Sequence, residues 1–153
     1  MVKALHVARQ LVLLAAAEEE PEYLSHLRLQ KLLYYVQAWS LVNRDRPMFP
    51  EKIEAWAHGP VVSDLYTTFA TYGDGPIPLG IARGEQIELD DEDKDFVASV
   101  WEAFKDYSAV SLRKMIHQEA PWLDARKGLG PADRCSNEIT PEAMRAYFAT
   151  EVA

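Results

Sequence analysis

The stretch from residue 25 to residue 42 constrains the fold more than any other part of the chain. Leu29, Leu32, Leu33, Val36 and Ser40 recur at helical spacing on one stripe, and Tyr35, Trp39 and Val42 make a second stripe beside it. Ser25 is of the residue type that caps a helix start by accepting a bond from a backbone amide. A helix apolar over that much of its circumference belongs inside the core, with other elements packed round it. The expected fold is therefore mainly α: a compact bundle of about six helices around a central apolar helix, with at most one short β-hairpin.

The flanking segments supply the partners. Residues 3–17 are rich in Ala and Leu, with Leu5, Ala8, Val12 and Ala15 on one face, and Pro21 follows the acidic run Glu18 to Glu20 that ends them. After a Pro- and Arg-containing loop over 43–50, the alternation at 53–57 predicts a short strand, and Gly59-Pro60 a break. Ser63 is expected to cap a helix over 64–72 stopped by Gly73. Residues 73–84 hold four glycines and two prolines and read as a connector with a short strand near 77–82. Asp90, with Asp91, Glu92 and Asp93 in the first turn, predicts a helix to about residue 107. Its buried face is either Phe96, Val100, Ala103 and Phe104 or Val97, Trp101 and Phe104. Ser108 is expected to cap a helix through Ile116, and Pro121 to start a short turn over 122–126. Thr140-Pro141-Glu142 is a strong start for a last helix with Met144, Tyr147 and Phe148 inward. The 153 residues, 48% of them hydrophobic, suit one domain over 1–153.

Charge narrows the function. Asp and Glu number 24 against 16 Lys and Arg, a net charge of −8, so the surface lacks the overall basic charge that a uniform nucleic-acid footprint needs. A basic protein partner is favoured by the same charge. The lone Cys135 gives no internal disulfide, and the longest nearly apolar run at the N-terminus, 11–17, is too short to span a membrane. The expected location is the cytoplasm.

The sequence carries few catalytic motifs. His117-x-Glu119 lacks the later Pro-Cys-x-x-Cys that completes a deaminase zinc shell, and His-Glu-x-x-His is absent. So are Gly-x-Ser-x-Gly and the glycine-rich phosphate loops. No metal or cofactor is expected, and the protein is not expected to be an enzyme. The enzyme alternative rests on His117 with Glu119. Three local groups stand out instead. Lys31 and Tyr34 sit on the apolar helix, where they could cover core or reach a partner, while Tyr35 is expected in the core. Trp56 and His58 precede the rigid Gly59-Pro60. His117, near a helix C-terminus, precedes Glu119 and Trp122. Trp56, His58, His117 and Trp122 fit structural roles as well as binding ones.

Lys31-Leu-Leu-Tyr-Tyr35 with Trp39, Glu54-Ala-Trp56 leading into Gly59-Pro60-Val61, Tyr107-Ser-Ala109, and His117-x-Glu119-x-Pro121-Trp122 together resemble the Panacea antitoxin domain family. The resemblance covers about residues 24–130. Ile116 stands where the family tends to place Thr, and His58 where it often has Tyr. The resemblance implies a bacterial or prophage antitoxin, phage-associated in part of the family, that neutralises a toxin encoded nearby by direct protein contact. A variant of that role is a proteolytic adaptor that passes the toxin to a protease chaperone, for which the small apolar C-terminus is a weak signal. The candidate partner-binding residues are Lys31, Tyr34, Trp56, His58, Gly59, Pro60, His117, Glu119 and Trp122.

Overall fold

Seven α-helices and a three-stranded antiparallel sheet form the regular structure of the described residues, 1–73, 75–81 and 87–151 of a computed structural model. The class is mainly α, as the periodicities predict. The first helix, α1 (Ala4–Ala16), buries Ala4, Val7, Ala8, Leu11, Val12 and Ala15. The second, α2 (His26–Asn43), starts where Ser25 Oγ accepts from the Arg28 amide at 3.3 Å. Thirteen of its eighteen residues are buried, and it packs against α1 and four later elements: α4 (Asp91–Phe104), α5 (Ala109–Ile116), α7 (Pro141–Glu151) and the strand β2 (Gly59–Val62).

The polar side chains of α2 bind it to specific neighbours. Gln30 Oε1 accepts from the Val62 amide at 2.8 Å, which fixes β2 on the helix. Gln37 accepts from the amides of Met48 (2.9 Å) and Phe49 (3.2 Å) and donates to the Phe49 carbonyl (2.8 Å). Ser40 donates to the Arg46 carbonyl at 2.8 Å. At the C-terminal end of α2, Arg44 pairs with Asp93 of α4 at 2.6 Å. These bonds satisfy backbone groups of an irregular loop that would otherwise be buried unpaired.

The small sheet has the order β2-β1-β3, with β1 (Ile53–Trp56) between β2 and β3 (Glu138–Ile139). Ile53 lies opposite Val62 and Trp56 opposite Gly59, so Ala57 and His58 form a two-residue turn. Gly59 has φ +133°, a conformation that L side chains rarely adopt.

Several local expectations change. Gly59 and Pro60 do not break the chain but begin β2. Pro60 sits on an edge strand, where a missing amide is tolerated. Ser63 is the first residue of α3 (Ser63–Ala70) rather than its cap, since Val62 takes that place and no side chain caps the helix. The strand expected near 77–82 is replaced by a 3-10 turn over Leu79–Ile81, with Pro76 bridged to Ser25 and the Ile77 amide bonded to Leu24 O at 2.8 Å. The end of that expected strand lies outside the described residues, as does the C-terminal pair 152–153. In α4, Val97, Val100 and Trp101 are the buried apolar residues, so the face takes Val97 and Trp101 from one expected set and Val100 from the other, while Phe104, common to both, is only partly buried. The short turn after Pro121 is a helix of its own, α6 (Ala120–Ala125), and β3 adds a third strand to the hairpin.

Replacing Gln37 by Ala strands three buried backbone groups at once. The expected loss is about 1–3 kcal/mol or more of unfolding free energy, measured by urea denaturation. An unchanged midpoint would show that the loop over 46–49 does not need α2.

Candidate functional site

The candidate residues converge where α2, the β1–β2 turn and the α5–α6 corner meet. Glu119 occupies the N-cap position of α6 without capping it through its side chain, and is 7% exposed. Its carboxylate turns back onto α2, accepting from Tyr34 Oη at 3.0 Å and Tyr35 Oη at 2.9 Å. Burial is the main influence on this group and pushes it up to about 7, against the two tyrosine bonds, which favour the charged form. Burial and the facing carboxylate hold both phenols far above their usual range, so they stay donors. Tyr35 also stacks on Phe104 at 4.2 Å, and the Phe148 ring of α7 meets both tyrosines edge-on.

Trp122 is buried at 3% exposure, and its Nε1 donates to the Trp56 carbonyl at 2.9 Å. On one side His117, the C-cap of α5, lies flat on it at 4.0 Å. The Arg126 guanidinium lies 4.8 Å from the indole ring centroid. Arg126 is 1% exposed and donates to the carbonyls of Ala55 (2.9 Å), Gly130 (2.7 Å) and Asp133 (2.6 Å). It therefore clamps β1 to the loop that follows α6. In the sequence Arg126 stands only as the last residue of the turn expected over 122–126. The available signal was its i, i+4 spacing from Trp122, which puts the cation over the ring.

Lys31 is 3% exposed and its Nζ donates to the Leu27 carbonyl at 3.3 Å. Its stem lies against Gly59: a Cβ there would stand 3.2 Å from Lys31 Cε. Burial, then the charge of Arg113, brings Lys31 down to about 8, so it stays mostly protonated at neutral pH. His58 is half-buried, and burial followed by Lys31 and Arg113 brings it down to about 4. His117 and His26 are lowered in the same way, burial first and neighbouring cations second. All three imidazoles are thus neutral at pH 7.

Trp56 is half-buried, donates its Nε1 to Glu54 at 2.8 Å and meets Tyr66 of α3 at 4.7 Å. With Ala57, His58, Arg134, Cys135 and Ser136 it lines a groove of about 530 Å3, within the size range of ligand and side-chain pockets. Trp56 and His58 thus reach the surface, while Tyr34, Gly59, Pro60, Glu119 and Trp122 hold the turn and corner from within.

His117 and Glu119 share a corner without forming an acid–base dyad. Both Glu119 oxygens belong to tyrosines, while His117 faces the Trp122 ring. Among the described residues no three His, Cys, Asp or Glu side chains are grouped to hold a metal ion, and no helix is long and apolar enough to cross a membrane.

The corner thus carries an aromatic groove close to a buried lysine. The chain belongs to the SocA-like antitoxin, Panacea domain family, whose model matches residues 29–123. Antitoxin SocA of Caulobacter vibrioides (strain NA1000 / CB15N) is 42% identical over 72 residues, 47% of this chain and 37% of that protein. The match thus spans little more than a third of the relative's length. No solved structure matches the chain significantly.

Two measurements check this geometry. Glu119 holds its proton more tightly folded than unfolded, so its contribution to stability is full below pH 4.5 and falls away as pH rises to about 7. The lowered histidines act oppositely in an overlapping window, losing stability as pH falls below 6.5. The informative quantity is therefore Glu119→Gln minus wild type. It should move in favour of the variant by roughly 3 kcal/mol between pH 4.5 and about 7, and a flat difference would refute the buried-acid assignment. Separately, Trp122→Ala should lose about 3–5 kcal/mol and Trp56→Ala clearly less, read by chemical denaturation. Equal losses would place both indoles in the core.

Proposed function

We propose that this protein is the antitoxin of a bacterial or prophage toxin–antitoxin module and neutralises its toxin by direct binding. In this reading the chain acts as one domain and the toxin meets the groove at Trp56 and His58. The observation that carries it is the family membership combined with where the family segment folds. Residues 29–123 include Lys31, Tyr34, Trp56, His58, Gly59, Pro60, His117, Glu119 and Trp122, and all nine belong to one corner of the molecule. A half-exposed Trp backed by a clamped, buried shell is the usual build of a binding hot spot, because rigid support lowers the entropy lost on contact. The interior residues are then positioning groups: Glu119, Trp122 and Arg126 hold the turn whose outer face is read. The relative's name describes an antitoxin, which supports the same role here.

Co-expression with the neighbouring gene tests the reading. The neighbour alone should arrest growth, and a pull-down should recover it in a stable complex with this protein. Trp56→Ala should weaken that complex at least about tenfold, the equivalent of 1.4 kcal/mol, while the protein stays folded. A harmless neighbour that does not bind would remove the antitoxin reading. Rescue that requires an active protease, with loss of the toxin, would instead establish the adaptor role.

A further inference from the structure

We propose that the site takes an acidic segment of the partner protein, whose carboxylate is received by the cations Lys31 and Arg113 beside His58. This rests on the reading of the groove as a toxin-binding site and names the chemistry of that partner.

Four observations carry it. Lys31 is 97% buried by its 3% exposure, yet among the described residues it makes no ion pair, and its one bond is to the Leu27 carbonyl. A buried ammonium without a counter-charge is costly, and replacing such a group by an apolar residue of like shape often leaves a fold as stable or more so. An anion brought by a partner would supply the counter-charge that the fold does not. Second, the ammonium is held at the turn: the missing Cβ of Gly59 leaves the space, and that Cβ would stand 3.6 Å from Nζ. Third, the standing charges that act on His58 are those of Lys31 and Arg113, and those that act on His117 are Arg113, Lys31 and Arg126, all of them cations. His117 Nε2 is itself buried without a hydrogen-bond partner among the described residues. Fourth, the nearby carboxylates are occupied. Glu119 is taken by Tyr34 and Tyr35 and Glu54 by the Trp56 indole, and no acid lines the groove, where Arg134 makes no ion pair among the described residues.

A cationic corner in a chain of net charge −8 suits a localised carboxylate better than a polyanion. A nucleic-acid strand would be drawn to the corner and repelled by the rest of the surface.

The test titrates the intact protein with an end-blocked tetra-aspartate peptide, its tetra-asparagine counterpart and octathymidylate. Binding is followed by Trp fluorescence and by the His58 and His117 ring resonances. Salt at about 0.15 M screens attraction beyond ~8 Å. Tetra-aspartate should bind saturably and shift the His58 ring. Lys31→Met and the exposed Arg113→Gln should each weaken it at least about tenfold, and Lys31→Met should melt at or above the wild-type temperature. The proposal is overturned by absent saturation, by equal binding of tetra-asparagine, by unchanged affinity in both variants, or by tighter binding of octathymidylate. Should Lys31→Met fail to fold, Arg113→Gln alone decides. A toxin captured equally by wild type and both variants sinks this inference and leaves the antitoxin reading standing.

Discussion

A helix buried on nearly every side cannot hydrate the polar side chains it carries, and much of this molecule is arranged around that constraint. Along α2, His26, Gln30, Lys31, Gln37 and Ser40 are buried with the two tyrosines. An unpaired polar group in such a place costs roughly 1–3 kcal/mol, so most find a partner on another element, while His26 and Lys31 bond within the helix, to Gln30 and to the Leu27 carbonyl. Gln30 takes β2, Gln37 and Ser40 take the loop after α2, and Tyr34 and Tyr35 take Glu119 at the start of α6. Apolar packing would let neighbouring elements slide. These directional bonds set which element lies where along the helix.

The same logic makes the site stiff. From α2 the chain of contacts runs through Glu119 to α6, through Trp122 to the Trp56 carbonyl, and through Arg126 to Ala55 and the following loop. The β1–β2 turn is thus held from behind at several points, and its outward residues have little freedom to lose on binding. Most of the candidate residues are internal and two reach the groove. In the proposed reading, substitutions at Tyr34, Glu119 or Trp122 would act through the geometry of the turn, and those at Trp56 or His58 on contact itself.

Electrostatics divide the corner into two parts. On the α2–α6 side, burial raises Glu119 and favours its neutral form. On the turn side, burial and mutual repulsion lower Lys31, His58 and His117. The histidines shed their protons at neutral pH, which limits the repulsion around the ammonium of Lys31. The corner keeps a local positive charge within an acidic molecule, and a local field of that kind guides orientation as well as attraction.

Periodicity and capping made the helices legible, because those signals act within a few residues of the chain. Ser25, Asp90, Ser108 and Thr140 all cap as their types predict. Ser63 does not, because pairing in the β1–β2 hairpin carries the chain straight into α3 and leaves Val62 at the cap. The four family blocks marked the candidate residues, and their side-chain types suggested contact rather than catalysis. Sequence alone could not divide those residues into interior and surface, since Trp56 and Trp122 have the same chemistry and differ only in what packs on them. Arg126 escaped notice for the same reason: an arginine reads as solvated until three carbonyls from distant segments close round it. What the sequence by itself determined is the helices, their caps and the family. Tertiary packing alone decided the pairing of Glu119 with two tyrosines, the burial of Lys31 beneath Gly59 and the groove at Trp56, because each depends on segments far apart in the chain being brought within hydrogen-bond or van der Waals distance.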